Sequence, residues 1–179
     1  MADLRWTEVS MPHLRQTFWE AANEILHADT PWMERRDAMR ALVDTYQYGM
    51  DLVTSPKLPG CDATDVAPPL PLETQGYRCF LKQWEAGEVT GIHGHPNTMF
   101  VYIISATLES IGFERSGHTI TPSGVEEFGP QDIMTGWVDN NRYDNFIHQL
   151  RCTKAGWSVH IYSDSGHRGI RFESFASEG

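Results

Sequence analysis

After Gln75 the chain divides into seven short runs, at residues 77–84, 98–105, 107–114, 132–137, 145–151, 157–163 and 169–175. They are rich in aromatic and β-branched residues and are parted by Gly, Pro, Asn and Asp, with no helical period between them. Runs of this kind read as strands, and seven or more in succession close into a sandwich or small barrel. The second half is therefore expected to be all-β.

The first fifty or so residues read differently. Leu14, Phe18, Ala21, Ala22 and Ile25 form one apolar stripe at helical spacing, and Met39, Leu42, Val43, Tyr46 and Met50 form another. Ser10 is placed to cap the first helix, Pro12 fits its first turn, and Asp29-Thr30-Pro31 ends it and starts the next. Pro56, Pro59 and Gly60 stop the second helix, and Pro68, Pro69 and Pro71 carry an extended connection. So short a helical segment predicts no domain of its own. The expectation is a single domain over 1–179, with a helical cap at 1–55 packed on a β-barrel at 75–175.

Charge and composition narrow the function classes. A formal net charge of −10 opposes binding to nucleic acid or to an anionic membrane. Apolar residues make up 40% and charged ones 21%, the balance of a soluble domain, and no apolar run is long enough to span a bilayer. The N-terminus lacks a basic-then-apolar leader. Cys61, Cys79 and Cys152 are odd in number and unrelated in spacing, which suits a reducing cytoplasm. Cys79 and Cys152 fall on expected strands and read as small core residues. His118 and His167 sit in turn-like glycine contexts and read as solvated.

Chemistry enters with His93-Gly94-His95. On a strand, residues two apart point to one face, so both imidazoles converge. His148, at a later apolar run, can add a third from a neighbouring strand. Three neutral nitrogens meeting inside a β structure make a metal site in outline.

Gly87, then five residues, then His93-x-His95, and later Gly129-Pro130-Gln131-Asp132 and His148, resemble the two sequence motifs of the cupin superfamily. That resemblance implies a jelly-roll barrel. Cupins usually carry a Glu three or four residues past the second His, but Met99 or Phe100 stands here. Three imidazoles without a carboxylate leave a divalent ion's charge uncompensated and favour an anionic ligand such as a thiolate or an enolate.

Trp157-Ser158-Val159-His160-Ile161-Tyr162-Ser163 is similar to a strand of the cysteine dioxygenase family, in which Ser, His and Tyr alternate towards the iron. The spacing from His148 to Ser158 fits that family, as does Trp84 nine residues before His93. The resemblance implies Fe(II) on His93, His95 and His148, with Ser158, His160 and Tyr162 as catalytic residues. It also implies a small-molecule thiol and O2 as reactants and a sulfinic acid as product.

Two departures matter. Met99 or Phe100 stands where mammalian members carry a Cys crosslinked to the Tyr, a feature bacterial relatives also lack. No Arg occurs between Pro68 and Thr74, where cysteine-specific members bind the substrate carboxylate. Arg171, nine residues after Tyr162, stands at the spacing of the carboxylate-binding Arg of mercaptopropionate-type members, with Arg168 and Arg78 as competitors. An Arg grips a carboxylate through two parallel hydrogen bonds, which Lys does less well. Mercaptopropionate, mercaptosuccinate and cysteine all remain open as substrates. Two other readings stay open as well, a three-His cupin dioxygenase acting on a hydroxyketone or diketone, and a non-catalytic small-molecule-binding cupin. The sequence leaves the oligomeric state open.

Overall fold

The computed structural model describes residues 11–46, 49, 77–140, 142–163 and 169–172, with side chains for all but 11–17, 78 and 79. The Ser10 cap, the stop at Pro56 to Gly60, the proline connection, Cys61, His167 and Arg168 lie outside the described residues, as do the side chains of Arg78 and Cys79. The chain divides into two compact units, Met1–Gly60 and Cys61–Gly179.

In the first unit, α1 (Met11–His27) and α2 (Trp32–Thr45) form the expected helical pair. Phe18, Trp19, Ala22 and Leu26 are buried on α1, and Met39 and Val43 on α2. The α1 stripe is therefore rotated slightly from the expected one, with Ala21 and Ile25 at its margin. Aromatic contacts account for the rotation: Phe18 meets Trp19 edge-on at 4.6 Å and Tyr46 at 5.1 Å. Arg35 donates to the Leu26 carbonyl at 2.9 Å, satisfying one acceptor that the end of α1 leaves free. No helix among the described residues is long and apolar enough to cross a membrane.

The second unit is built of β1 (Tyr77–Trp84), β2 (Ile92–His95), β3 (Thr98–Ile103), β4 (Thr107–Ser116), β5 (Thr119–Phe128), β6 (Ile133–Trp137), β7 (Asn145–Lys154), β8 (Gly156–Ser163) and β9 (Arg171–Phe172). One antiparallel sheet runs β1-β8-β3-β6 and the other β5-β4-β7-β2-β9. Strands distant in sequence are neighbours in both sheets. That order, 1-8-3-6 against 5-4-7-2, is a jelly roll, with β9 as an extra edge. Between the sheets lie Trp84, Met99, Val101, Ile103, Leu108, Met134, Leu150 and Cys152. Each of the larger ones contributes about 1.5–3 kcal/mol by leaving water.

β5 is absent from the seven expected strands. Its sequence, Thr119-Ile-Thr-Pro-Ser-Gly-Val-Glu-Glu-Phe128, carries a proline, a glycine and two acids, and almost all of it is exposed. As an edge strand it needs only one hydrogen-bonding side, so Pro122 is tolerated, and the register with β4 shifts beside it at Gly112/Phe113.

Candidate metal centre

His93 on β2 stands directly opposite His148 on β7, so the two side chains leave the same face of the sheet. His95, two residues on, shares that face. The three rings form a near-equilateral triangle with centroids 4.8, 4.9 and 4.7 Å apart. One nitrogen from each lies within 4.8 Å of the others, and among the described residues no carboxylate or thiol joins the group.

A backbone irregularity makes this possible. His95 pairs with Asn145, not with the residue that regular pairing would bring, so β7 carries one extra residue between the two histidine rows. Phe146, at that bulge, has φ 51, the left-handed region that a bulky residue occupies at a cost. Asn145 donates to the His95 carbonyl at 3.3 Å and to the Arg142 carbonyl at 3.0 Å. Asp144 beside it is buried and bridged by Arg115 and Arg142, both at 2.6 Å. Arg142 first, and then Arg115, hold its carboxylate below the usual range against the opposing effect of burial. Gly94 completes the packing, since a Cβ there would lie 2.6 Å from the Asp144 Cα. None of these supports was read from the sequence. The glycine inside His93-Gly94-His95 is the one available signal.

The electrostatics suit a cation. Burial pushes the His148 pKa down to about 3, and burial together with the neighbouring imidazoles holds His95 well below its usual range. His93 is lowered by burial and by the Arg171 charge, against a bond to the Gly91 carbonyl that raises it. All three are thus neutral at pH 7, the form in which imidazole binds metal. The His93 Nδ1–H donates to that carbonyl at 2.8 Å, leaving its Nε2 lone pair free. The Nε2 atoms of His95 and His148 face each other at 3.0 Å. Two nitrogens at about 2.1 Å from one ion and at right angles would be about 3 Å apart. The donor set fits a divalent metal of the imidazole-preferring kind.

Tyr162, on β8 of the opposite sheet, stacks on His95 with centroids 4.9 Å apart, so the centre lies between the sheets. Ser158, His160 and Tyr162 share the inner face of β8 and are all buried. Trp84 Nε1 donates to Ser158 Oγ at 2.8 Å, Ser158 Oγ lies 2.7 Å from His160 Nε2, and His160 Nδ1 lies 2.8 Å from the Tyr162 hydroxyl. Indole can only donate, so if His160 also donated to Ser158, the serine proton would be buried without an acceptor. The satisfied arrangement runs Trp84 to Ser158 to His160 to Tyr162. It leaves the phenol proton free to point at a group beside His95. Phe80 stacks flat on His160 at 4.8 Å and fixes its plane. Burial raises the Tyr162 pKa and pushes that of His160 down to about 3, so the phenol is a donor and the imidazole neutral.

Arg171 is directly opposite His93 on β9, which places it on the histidine face, and its side chain is exposed. Met99 is opposite Tyr162 on β3. His118 is exposed in the β4–β5 turn, and Cys152 is buried.

No protein-family model matches the chain. No curated protein matches it in sequence. Solved structures similar to it include an RmlC-like cupin from Shewanella frigidimarina, at 10% identity and TM-score 0.38 over 50% of this chain and 68% of that one. A Bacillus subtilis oxalate decarboxylase variant matches at 11% identity and TM-score 0.42 over 54% of this chain and 24% of its own. The polyketide cyclase RemF of Streptomyces resistomycificus matches at 11% and 0.40, over 55% and 62%. The matched region therefore spans about a quarter of the decarboxylase.

Proposed function

We propose that this chain is a cupin-type, iron-dependent thiol dioxygenase that converts a small carboxylate-bearing thiol to its sulfinic acid. The balance is R–SH + O2 → R–SO2H. Sulfur gives up four electrons, dioxygen takes them, both oxygen atoms end on sulfur, and the thiol proton ends on the sulfinic acid. The observation that carries the reading is a cluster of three neutral imidazoles stacked against a buried phenol at the end of a hydrogen-bonded relay.

His93, His95 and His148 would hold the ion. Iron(II), when bound, supplies redox capacity and a double charge that no protein carboxylate offsets, which favours an anionic sulfur ligand and lowers the pKa of the thiol. Tyr162 donates its hydroxyl proton as a hydrogen bond to a reacting oxygen or substrate atom, in a low-dielectric space where such a bond counts for more than in water. His160 and Ser158 hold that hydroxyl in place, so little reorganisation is needed when charge develops. Met99 has no thiol to link to Tyr162, which acts as a plain phenol. Arg171 takes the substrate carboxylate, which orients the sulfur towards the histidines.

Iron content and oxygen uptake test the reading together. About one iron per chain, and oxygen uptake with mercapto acids or cysteine but not with hydroxyketones or diketones, is the expected result. Uptake with the ketones alone would overturn it in favour of carbon–carbon cleavage. No uptake with any compound would make the barrel a binding module.

A further inference from the structure

The row of residues that holds the histidines continues past them. From β9 to β5, the residues directly opposite one another are Arg171, His93, His148, Gly112 and Gly124. The last two have no side chain, and although the Ser123 hydroxyl lies 3.0 Å from where a Gly112 Cβ would stand, a Cβ on Gly124 would meet nothing within 4 Å, so room is left on the β4–β5 side of His148. A cavity of about 340 Å³ lies there, with Met99, Met134 and Phe146 as apolar walls and His148 at its inner end. Among the described residues Glu126 is the one charged side chain that lines it. Its register, opposite Ser110 and two residues from the core-packed Phe128, turns it to the inner face, and its side chain remains exposed to solvent. Among the described residues no Lys or Arg pairs with Glu126.

We propose that this cavity is the subsite for the amine-bearing end of an elongated thiol of about dipeptide size. The inference rests on the thiol dioxygenase reading and specifies its substrate class. The inner face then presents a cation and the metal ligands along the row and an anion two residues off its β5 end, and a matching substrate carries carboxylate, thiolate and amine in that order. Length follows from the sheet. Glu126 is on β5, two strands beyond the strand of His148 and two residues along from its row, which is about 12 Å at the usual strand spacing and rise. The amine of free cysteine, two carbons from its sulfur, cannot span that. A cysteine with its own carboxylate free and one further residue on its nitrogen can. The formal net charge of −10 favours approach of the cationic end and disfavours a second carboxylate there.

The probes are β-alanylcysteine and its N-acetyl derivative, which lacks the cation, with 3-mercaptopropionate as the short reference. For the iron-loaded wild-type protein, kcat/KM for β-alanylcysteine should exceed that for the acetylated form by about two- to fivefold, the effect of one ion pair with an exposed carboxylate. In Glu126→Gln the ratio should approach one, and in Glu126→Lys it should invert. Calorimetry with S-methyl-β-alanylcysteine reads the cavity without turnover and should show weaker binding to Glu126→Lys by a similar factor. Equal wild-type use of the two dipeptides, or a ratio and a binding constant that Glu126→Lys leaves alone, would overturn the proposal. If no thiol, 3-mercaptopropionate included, supports oxygen uptake, the dioxygenase reading fails instead, and the calorimetry still decides whether the cavity takes an amine.

Discussion

Trp84 Nε1 donates to Ser158 Oγ at 2.8 Å, and that single bond sets the direction in which hydrogen bonds run to Tyr162. Trp84→Phe keeps most of the buried ring but removes the first donor, at a cost of about 1–3 kcal/mol for the group left unmatched. Turnover should fall while iron binding holds. Tyr162→Phe deletes the terminal hydroxyl itself and should lower turnover further, by roughly 10- to 1,000-fold. Steady-state rates at matched iron content check both, and wild-type turnover in Tyr162→Phe would reduce the relay to scaffold.

A second expectation concerns the residue between the first two histidines. A Cβ on Gly94 would sit 2.6 Å from the Asp144 Cα and 2.7 Å from the Tyr143 carbonyl oxygen, and backbone cannot move aside as a flexible side chain can. Gly94→Ala should displace the segment that holds Asn145 against His95, weakening metal binding by about 10- to 100-fold. It should also destabilise the fold by about 1–3 kcal/mol. Metal titration and urea unfolding test this, and an unaltered metal affinity would show that the close approach is dispensable.

Acid stability follows from the buried imidazoles. His148 and His160 both have their pKa pushed down to about 3 in the folded protein, against an ordinary 6.5 once unfolded. Below pH 6.5 the unfolded chain takes up protons that the folded one refuses, so stability is flat above that pH and declines from 6.5 towards 3. Each such histidine removes about 1.4 kcal/mol per pH unit over that window. The urea midpoint of the metal-free protein should hold between pH 7 and 8 and fall steeply from 6 to 5. A midpoint unchanged down to pH 4 would mean that these rings are protonated in the fold.

The sequence made most of this centre legible because its signals are local. Alternation on one strand puts His93 and His95, and likewise Ser158, His160 and Tyr162, on shared faces, and the structure places them so. What it could not reveal is set by distant pairing. β5 gives no strand signal because an edge strand may carry Pro122 and exposed acids. The β7 bulge at Phe146 and the Asp144 clamp depend on Arg115 and Gly94 from other strands, with Arg142 added from the loop before β7. The rotated stripe of α1 was decided by where the Trp19 and Tyr46 rings meet Phe18.

Arg171 is one strand from His93 and exposed. Losing a charge-assisted contact costs about 1.5–3 kcal/mol. Arg171→Ala should therefore raise KM for mercapto acids by about tenfold or more, with iron retained. An Arg171→Ala protein as efficient as wild type would mean that another cation, Arg168 or Arg78, takes the carboxylate.

The most direct measurement is the mass of the product formed under 18O2 by iron-loaded protein supplied with a mercapto acid. A sulfinic acid carrying two 18O atoms per molecule, formed by the wild type and lost together with iron in His148→Ala, is the predicted result. Disulfide with no label, a single labelled oxygen, or undiminished product from iron-free protein would contradict a thiol dioxygenase built on His93, His95 and His148.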